Sequence, residues 1–327
     1  MSTYPSVRQV DSRGDLRDVR EWVGSEPLKD LVRAFGGDID ILYAGDDVGE
    51  WLARLDAFSD RWDSRRGAER NIAPPLDLTS KQILIVVEAS EALGLMGGRP
   101  PQAARYDHIL MLGGLLRACV TRPAYAADLI LSGRVKAGAV TALGGHRPFG
   151  GNEFELARAV GLADVSDEFS ALDAGTRRAF GLGEPVKDEG TPTSIDNSAW
   201  SIRTYASRDG TPIKVAAAPS SEPDRRRANT ADSYEWFARR IAALSAGERL
   251  LIVTTAIYVP AQHAAAIRML GLPFSVNVET VGIQPGDVVP ELDQTFTPSQ
   301  YLQEVRSAVR SLRDLTDVIG PSESQRK

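Results

Sequence analysis

Cysteine is almost missing from this chain. Cys119 is the single one among 327 residues, so no intrachain disulfide can form and a cysteine-based zinc site is excluded. Histidine is nearly as scarce, with three: His108, His146 and His263. No uninterrupted apolar run approaches the ~18 residues that a membrane helix needs. The opening stretch, MSTYPSVRQVDSRGD, has no apolar core of signal-peptide length, and a cytoplasmic protein without membrane contact is the expectation. Positive charge is not in excess. A net charge of −6 argues against a general nucleic-acid binder, which is usually basic, but leaves room for a local basic pocket. There is no solenoid repeat. Three signatures are also absent: a GxSxG nucleophile elbow, a phosphate-binding P-loop and a GxGxxG fingerprint, from which GGLLRA departs.

What is present is the composition of a folded protein, 43% hydrophobic and 25% charged, enough for a sizeable core. From Asp15 to about Trp62 the pattern is helical, broken at Gly24, Gly36–Gly37 and Gly45, with Trp51, Leu52, Leu55 and Phe58 on one face. Asp60 to Arg70 is densely charged and reads as a solvated helix end or, alternatively, a basic flap over an anion. After Pro74-Pro75, Thr79 or Ser80 caps a helix with apolar Ile83, Val86, Val87 and Leu93. Residues 1–101 therefore read as a helical module and residues 102–327 as an α/β domain.

The stretch Tyr106 to Leu129, YDHILMLGGLLRACVTRPAYAADL, organises the second part. It reads as a buried strand, a sharp turn at Gly113-Gly114, and a helix. The glycines let the backbone turn tightly and approach a ligand. The helix start offers unpaired N–H groups to an anion, and Arg117 and Arg122 add forked donors. The same grammar recurs. A strand from Ala137 to Leu143 ends in Gly144-Gly145-His146-Arg147, before a helix from Glu153 to Val160. Asp167, Glu168 and Asp173 lie in a further helical stretch, and Gly181 to Ser194 reads as loop. Trp200 to Tyr205 is a weak strand and Ile213 to Ala218 a stronger one, which leads into Ser220, Ser221 and Glu222. Asn229 or Thr230 caps the next helix. Arg249 to Thr255 ends in Thr254-Thr255, a helix follows from about Pro260 to Leu270, and Phe274 to Val281 is a last strand. Gly282 to Thr297 reads as loop. A final amphipathic helix, Tyr301 to Val318, carries Leu302, Val305, Val309 and Leu312. Strands alternating with helices predict a mainly parallel, Rossmann-like sheet with helices on both faces. In such sheets ligands sit beyond the carboxyl ends of the strands.

From about Tyr106 to Gly282 the chain resembles the YdcF/SanA-like family of bacterial domains. ILMLGG with Arg117, LGGHRP with Glu153, SSEPDRRRANTADS and VTTAIYVPAQHAAAIRML carry the likeness. The family usually has a His, then Pro-Arg-Ala, shortly after Thr-Ser. Here Tyr258 stands near the His position and Ala261 or Gln262 near the Arg. The resemblance implies a Rossmann-like fold and a nucleotide-like ligand, with S-adenosylmethionine suggested for a member.

His146 is the best acid–base candidate, since imidazole is the side chain suited to exchanging protons at neutral pH. His108 and His263 read as structural, His263 alternatively as exposed, and Cys119 as a buried small apolar residue. Glu153 and Glu222 could bind a ligand hydroxyl or amine, hold Mg²⁺ through oxygen, or pin loops by pairing with arginine. The expectation is an enzyme, a hydrolase or group transferase, for a nucleotide-like or phosphorylated small molecule. Its catalytic residues would be His146 and Glu222. Gly113, Gly114, Arg117, Arg122, Gly144, Gly145, Arg147, Glu153, Asn229, Thr230, Thr254, Thr255 and Tyr258 would bind the ligand. A non-catalytic ligand sensor, an S-adenosylmethionine-dependent transferase and a tailoring enzyme of specialised metabolism are the alternatives.

Overall fold

The computed structural model describes residues 3–63, 74–191, 197–284, 286 and 288–320. In chain order its elements are α1 (Leu16–Val23), α2 (Glu26–Ala34), α3 (Ile39–Leu42), α4 (Val48–Ser59), α5 (Ser80–Ala92), β1 (Arg105–Leu112), α6 (Leu116–Leu131), β2 (Lys136–Gly144), α7 (Glu153–Ala159) and α8 (Glu168–Phe180). There follow β3 (Lys187–Gly190), β4 (Ser201–Ala206), β5 (Pro212–Ala217), α9 (Thr230–Trp236), β6 (Arg249–Thr255), α10 (Val259–Ala266), α11 (Leu272–Phe274), β7 (Asn277–Ile283) and α12 (Pro298–Ile319).

The chain packs into two units. One is helical and comprises Met1–Gly98, Ala256–Leu272 and Thr295–Lys327. Its core joins Leu28, Leu31, Leu52, Leu55 and Trp62 to the stripe Leu302, Val305, Val309 and Leu312 of α12. That stripe recurs every three or four residues, so one face of the helix is apolar and is withdrawn from water. Capping boxes start α5, through Thr79 and Gln82, and α12, through Thr297 and Gln300. The face of α5 differs from expectation. Val86 and Leu93 are buried, but Ile83 and Val87 are exposed, because the helix turns its small residues Ala89 and Ser90 inward instead. Of the charged run from Asp60, Asp60–Trp62 is a 3-10 turn, and residues 64–70 lie outside the described residues.

The other unit, Arg99–Thr255 and Pro273–Gln294, holds a seven-stranded sheet in the order β3-β4-β5-β2-β1-β6-β7. β5, β2, β1, β6 and β7 run parallel, while β4 is antiparallel to β3 and β5. Residues 187–190, expected as loop, are the edge strand β3, and residues 192–194 of that expected loop lie outside the described residues. Side chains alternate along β1. Ile109 and Met111 pack with Leu116 and Cys119 of α6 and Leu172 of α8. His108 meets Phe237, just past α9, on the opposite face at 5.6 Å between ring centres. Helices therefore cover both faces. Chain progression steps from β1 to β2 in one direction and reaches β6 on the other side of β1. The carboxyl ends of β1 and β6 thus flank a topological switch point, the usual position of a ligand crevice in open α/β sheets. Among the described residues no helix is long and apolar enough to cross a membrane.

Candidate functional site

At the switch point the polar groups are drawn onto one another. Arg122 of α6 is 2% exposed. Its Nη1 donates to Leu112 O at 2.7 Å and also to Gly113 O, while Nε and Nη2 donate to Thr255 Oγ1 at 3.3 and 3.1 Å. One guanidinium thus ties the end of β1 to the end of β6. Arg117 donates to Glu291 O at 2.7 Å and Asp293 O at 2.9 Å, which pins the segment after β7. Thr254 and Tyr234 are fully buried, and their hydroxyls have no hydrogen-bond partner among the described residues.

Beside the switch point, β1 and β2 end in register, with Leu112 opposite Leu143, so Gly113 and Gly144 continue the pairing. A Cβ on Gly113 would collide with the Glu168 carboxylate and stand 2.9 Å from Gly144 Cα; one on Gly144 would stand 2.9 Å from Glu168 Oε1. The two glycines make room for that acid. Arg147 lies between Glu168 and Glu153. Its Nε reaches Glu168 Oε2 at 3.3 Å, and Nη1 and Nη2 reach Glu153 Oε2 and Oε1, both at 2.8 Å. Nη2 also donates to Gly114 O at 3.0 Å. Glu153 in turn accepts the N–H of Leu116, at the start of α6, at 2.9 Å and that of Gly150 at 3.0 Å. The place that the sequence assigned to an external anion is therefore filled by the protein's own carboxylate, since a helix N-terminus satisfies its orphan donors with whatever anion the fold supplies.

Burial pushes the Glu168 carboxyl up to about 7, against the pull of Arg147 and the Gly145 N–H; its side chain is 13% exposed. Burial also acts to raise Glu153, but the hydrogen bonds from Arg147, Gly150 and Leu116 outweigh it and hold this group below the usual carboxylate range. Two neighbouring carboxyls are thus driven apart in acidity. Between about pH 4.5 and 7 the folded state keeps the Glu168 proton and the unfolded chain does not, so the contribution of this group to stability falls as pH rises through this window. The loss is on the order of 3 kcal/mol. Glu168→Gln should flatten the slope of unfolding free energy against pH across that window in urea titrations. A slope as steep as in the wild type would reject this assignment.

The third group surrounds His146. Its Nε2 lies 3.1 Å from Ser201 Oγ, its Nδ1 lies 3.5 Å from Asp167 Oδ2, and Phe169 packs on the ring at 5.3 Å between centres. Asp167 is the N-cap of α8 and accepts the Ser170 N–H at 2.8 Å. Burial acts to raise its carboxyl, but His146 and Ser170 outweigh it and hold it below the usual range. Ser201 opens β4, whose alternation points Ser201, Arg203 and Tyr205 toward α8: Arg203 and Tyr205 both bond Asp173.

Other expected residues lie elsewhere. Glu222 is exposed and pairs with Arg225 and Arg226. Asn229 caps α9, Thr230 is its first residue, and Asp232 closes the capping box. These residues build the connection from β5 to α9. Tyr258 belongs to the helical unit, where it meets Phe296 at 6.3 Å between ring centres. His108 packs on Phe237 and His263 is buried with Nε2 2.8 Å from Val10 O; burial lowers the pKa of both. Burial likewise pushes the Cys119 thiol well up, so it is no thiolate. Among the described residues no group of three or more His, Cys, Asp and Glu is arranged to hold a metal ion.

Comparison with known proteins places the chain. The model of the Rv3785 N-terminal domain matches residues 8–94. The uncharacterized protein Rv3785 of Mycobacterium tuberculosis H37Rv is 32% identical over 98% of this chain and 94% of its own length. The chain belongs to the Rv3785 family. The uncharacterized protein Mb3814 of Mycobacterium bovis matches with the same identity and coverage. No solved structure matches significantly. The likeness to the YdcF/SanA-like family is thereby overturned: the matching family model and the relatives are Rv3785 proteins, and the likeness to them runs through the helical residues that the earlier resemblance left out. Gly-Gly pairs are common turn signals in unrelated folds, which is why they misled. The Rossmann-like sheet stands on the strand pairing alone; the nucleotide-like ligand and S-adenosylmethionine, drawn from that resemblance, lose their support with it.

Glu168, Asp167 and Ser201 are what sequence reading passed over. A signal existed for the first: two strands that both end in Gly-Gly call for something bulky between them.

Proposed function

We propose that this Rv3785-family protein is a small-molecule enzyme, a hydrolase or group transferase, whose chemistry is proton transfer by His146 at the carboxyl edge of the sheet. The observation that carries the reading is His146 suspended between Asp167 and Ser201. A carboxylate at Nδ1 orients an imidazole and stabilises its protonated form, leaving Nε2 to take and return a proton. Glu168, pushed up to about 7, is a second proton carrier in the same region of the sheet edge. Groups of this kind near neutrality are enriched at catalytic sites. The arginines take no part in the proposal, because Arg117, Arg122 and Arg147 are bonded to carbonyls and carboxylates of the chain itself.

The test is a screen of the purified protein on chromogenic esters, phosphate esters and glycosides. Turnover of one class is expected, reduced by at least ~100-fold in His146→Gln with the circular dichroism spectrum retained. No turnover of any class, or equal turnover by the variant, would sink the reading.

A further inference from the structure

We infer that Ser201 is a nucleophile and that the substrate class is a carboxylic ester, cleaved through an acyl-enzyme formed by Ser201, His146 and Asp167. This rests on the reading of His146 above and deepens it. Ser201 Oγ is within hydrogen-bond reach of His146 Nε2, at 3.1 Å, and His146 Nδ1 faces Asp167 at 3.5 Å. Nucleophile, base and orienting acid thus stand in the required order, on a strand start, a strand-end loop and a helix N-cap. Such a triad is recognised by geometry and roles rather than by sequence position, and the looser contact to Asp167 is of the kind that tightens when substrate binds.

Two features separate Ser201 from a plain structural pin. The polar pins further along β4, Arg203 and Tyr205, converge on Asp173, whose side chain is 6% exposed. His146 and Asp167 keep 13% and 19% of their side-chain surface open, and Ser201 is only partly buried. Across the β3–β4 pair, Ser201 faces Gly190. A Cβ there would stand 2.5 Å from Trp200 O and 3.0 Å from Ser201 Oγ, so only glycine fits beside the hydroxyl at this close approach of the strands.

The steps balance. Ser201 Oγ bonds to the ester carbonyl carbon while its proton passes to His146 Nε2. The carbon–oxygen bond to the alcohol breaks, and His146 returns the proton to that leaving oxygen. Water then attacks the acyl-enzyme with His146 as base, freeing the acid and restoring the serine.

The experiment is incubation of the full-length protein with a fluorophosphonate. The Ser201 oxygen would displace fluoride from phosphorus, and the adduct would be read by intact mass and peptide mapping. One adduct on Ser201 is expected, none in Ser201→Ala, with labelling at least ~100-fold slower in His146→Gln. Ester hydrolysis should be lost in Ser201→Ala while its unfolding midpoint matches the wild type. If Ser201→Ala keeps His146-dependent turnover, water is the nucleophile, the serine proposal is overturned and the reading of His146 survives. If His146-dependent turnover falls on phosphates or glycosides alone, with no adduct, the ester class is overturned. If the wild type shows neither turnover nor adduct, both readings fall.

Discussion

Arg147→Met should lose about 3–5 kcal/mol of stability at neutral pH, the loss expected when one partner of a buried ion pair is removed. Arg147 is the only side-chain cation bonded to both Glu153 and Glu168 among the described residues. Methionine fills much of the same space but leaves both acids without the guanidinium bonded to them, with only the more distant charge of Arg122 acting on Glu168. Glu153 would keep the N–H groups of Leu116 and Gly150; Glu168 would keep the Gly145 N–H. The loss should shrink as pH falls, because both carboxyls then take up protons and the uncompensated charge disappears. Adding Glu153→Gln and Glu168→Gln to Arg147→Met should recover part of it, since neutral amides remove the stranded charges. Urea unfolding at pH 5 and pH 8 reads both effects. A single variant within 1 kcal/mol of wild type at both pH values would show that the network is solvated and not a buried anchor.

Gly175→Ala should be destabilised by about 3 kcal/mol or more, the upper part of the range for overpacking. Helix propensity alone predicts the opposite sign, because alanine is favoured over glycine within a helix by ~1 kcal/mol. The reason lies in tertiary packing. Gly175 is buried in α8, and a Cβ there would run into the carbonyl oxygen of Cys119 in α6, 3.1 Å from its carbon and 3.2 Å from Val120 Cα. All of these are backbone atoms, so no side chain can swing away, and the two helices would have to part in a close-packed core. Gly183→Ala is the control, since beyond its chain neighbours no atom of the described residues lies within 4 Å of a Cβ at that position. Thermal and urea unfolding of the pair should separate them clearly. Equal stability of Gly175→Ala and wild type would mean that α6 and α8 are not in backbone contact.

By itself the sequence determined the order of most strands and helices, because alternation and helical spacing are local and the caps sit within a few residues of what they cap. Leu302, Val305, Val309 and Leu312 are buried as their spacing requires, and Thr79 caps α5. The mainly parallel sheet was legible for the same reason. Only the tertiary structure decided the rest. It paired β3 and β4 as antiparallel strands, which the weak pattern around Trp200 could not announce. It sent α10 and α12 to the helical unit, because an amphipathic face does not say which other face will cover it. It turned the arginines inward, onto carbonyls that no sequence shows as needing donors. And it brought Ser201 to His146 across 55 residues and Glu168 to a space left by two paired glycines. Chemistry of that kind depends on distances between remote strand ends, and those are set by sheet register and not by spacing along the chain.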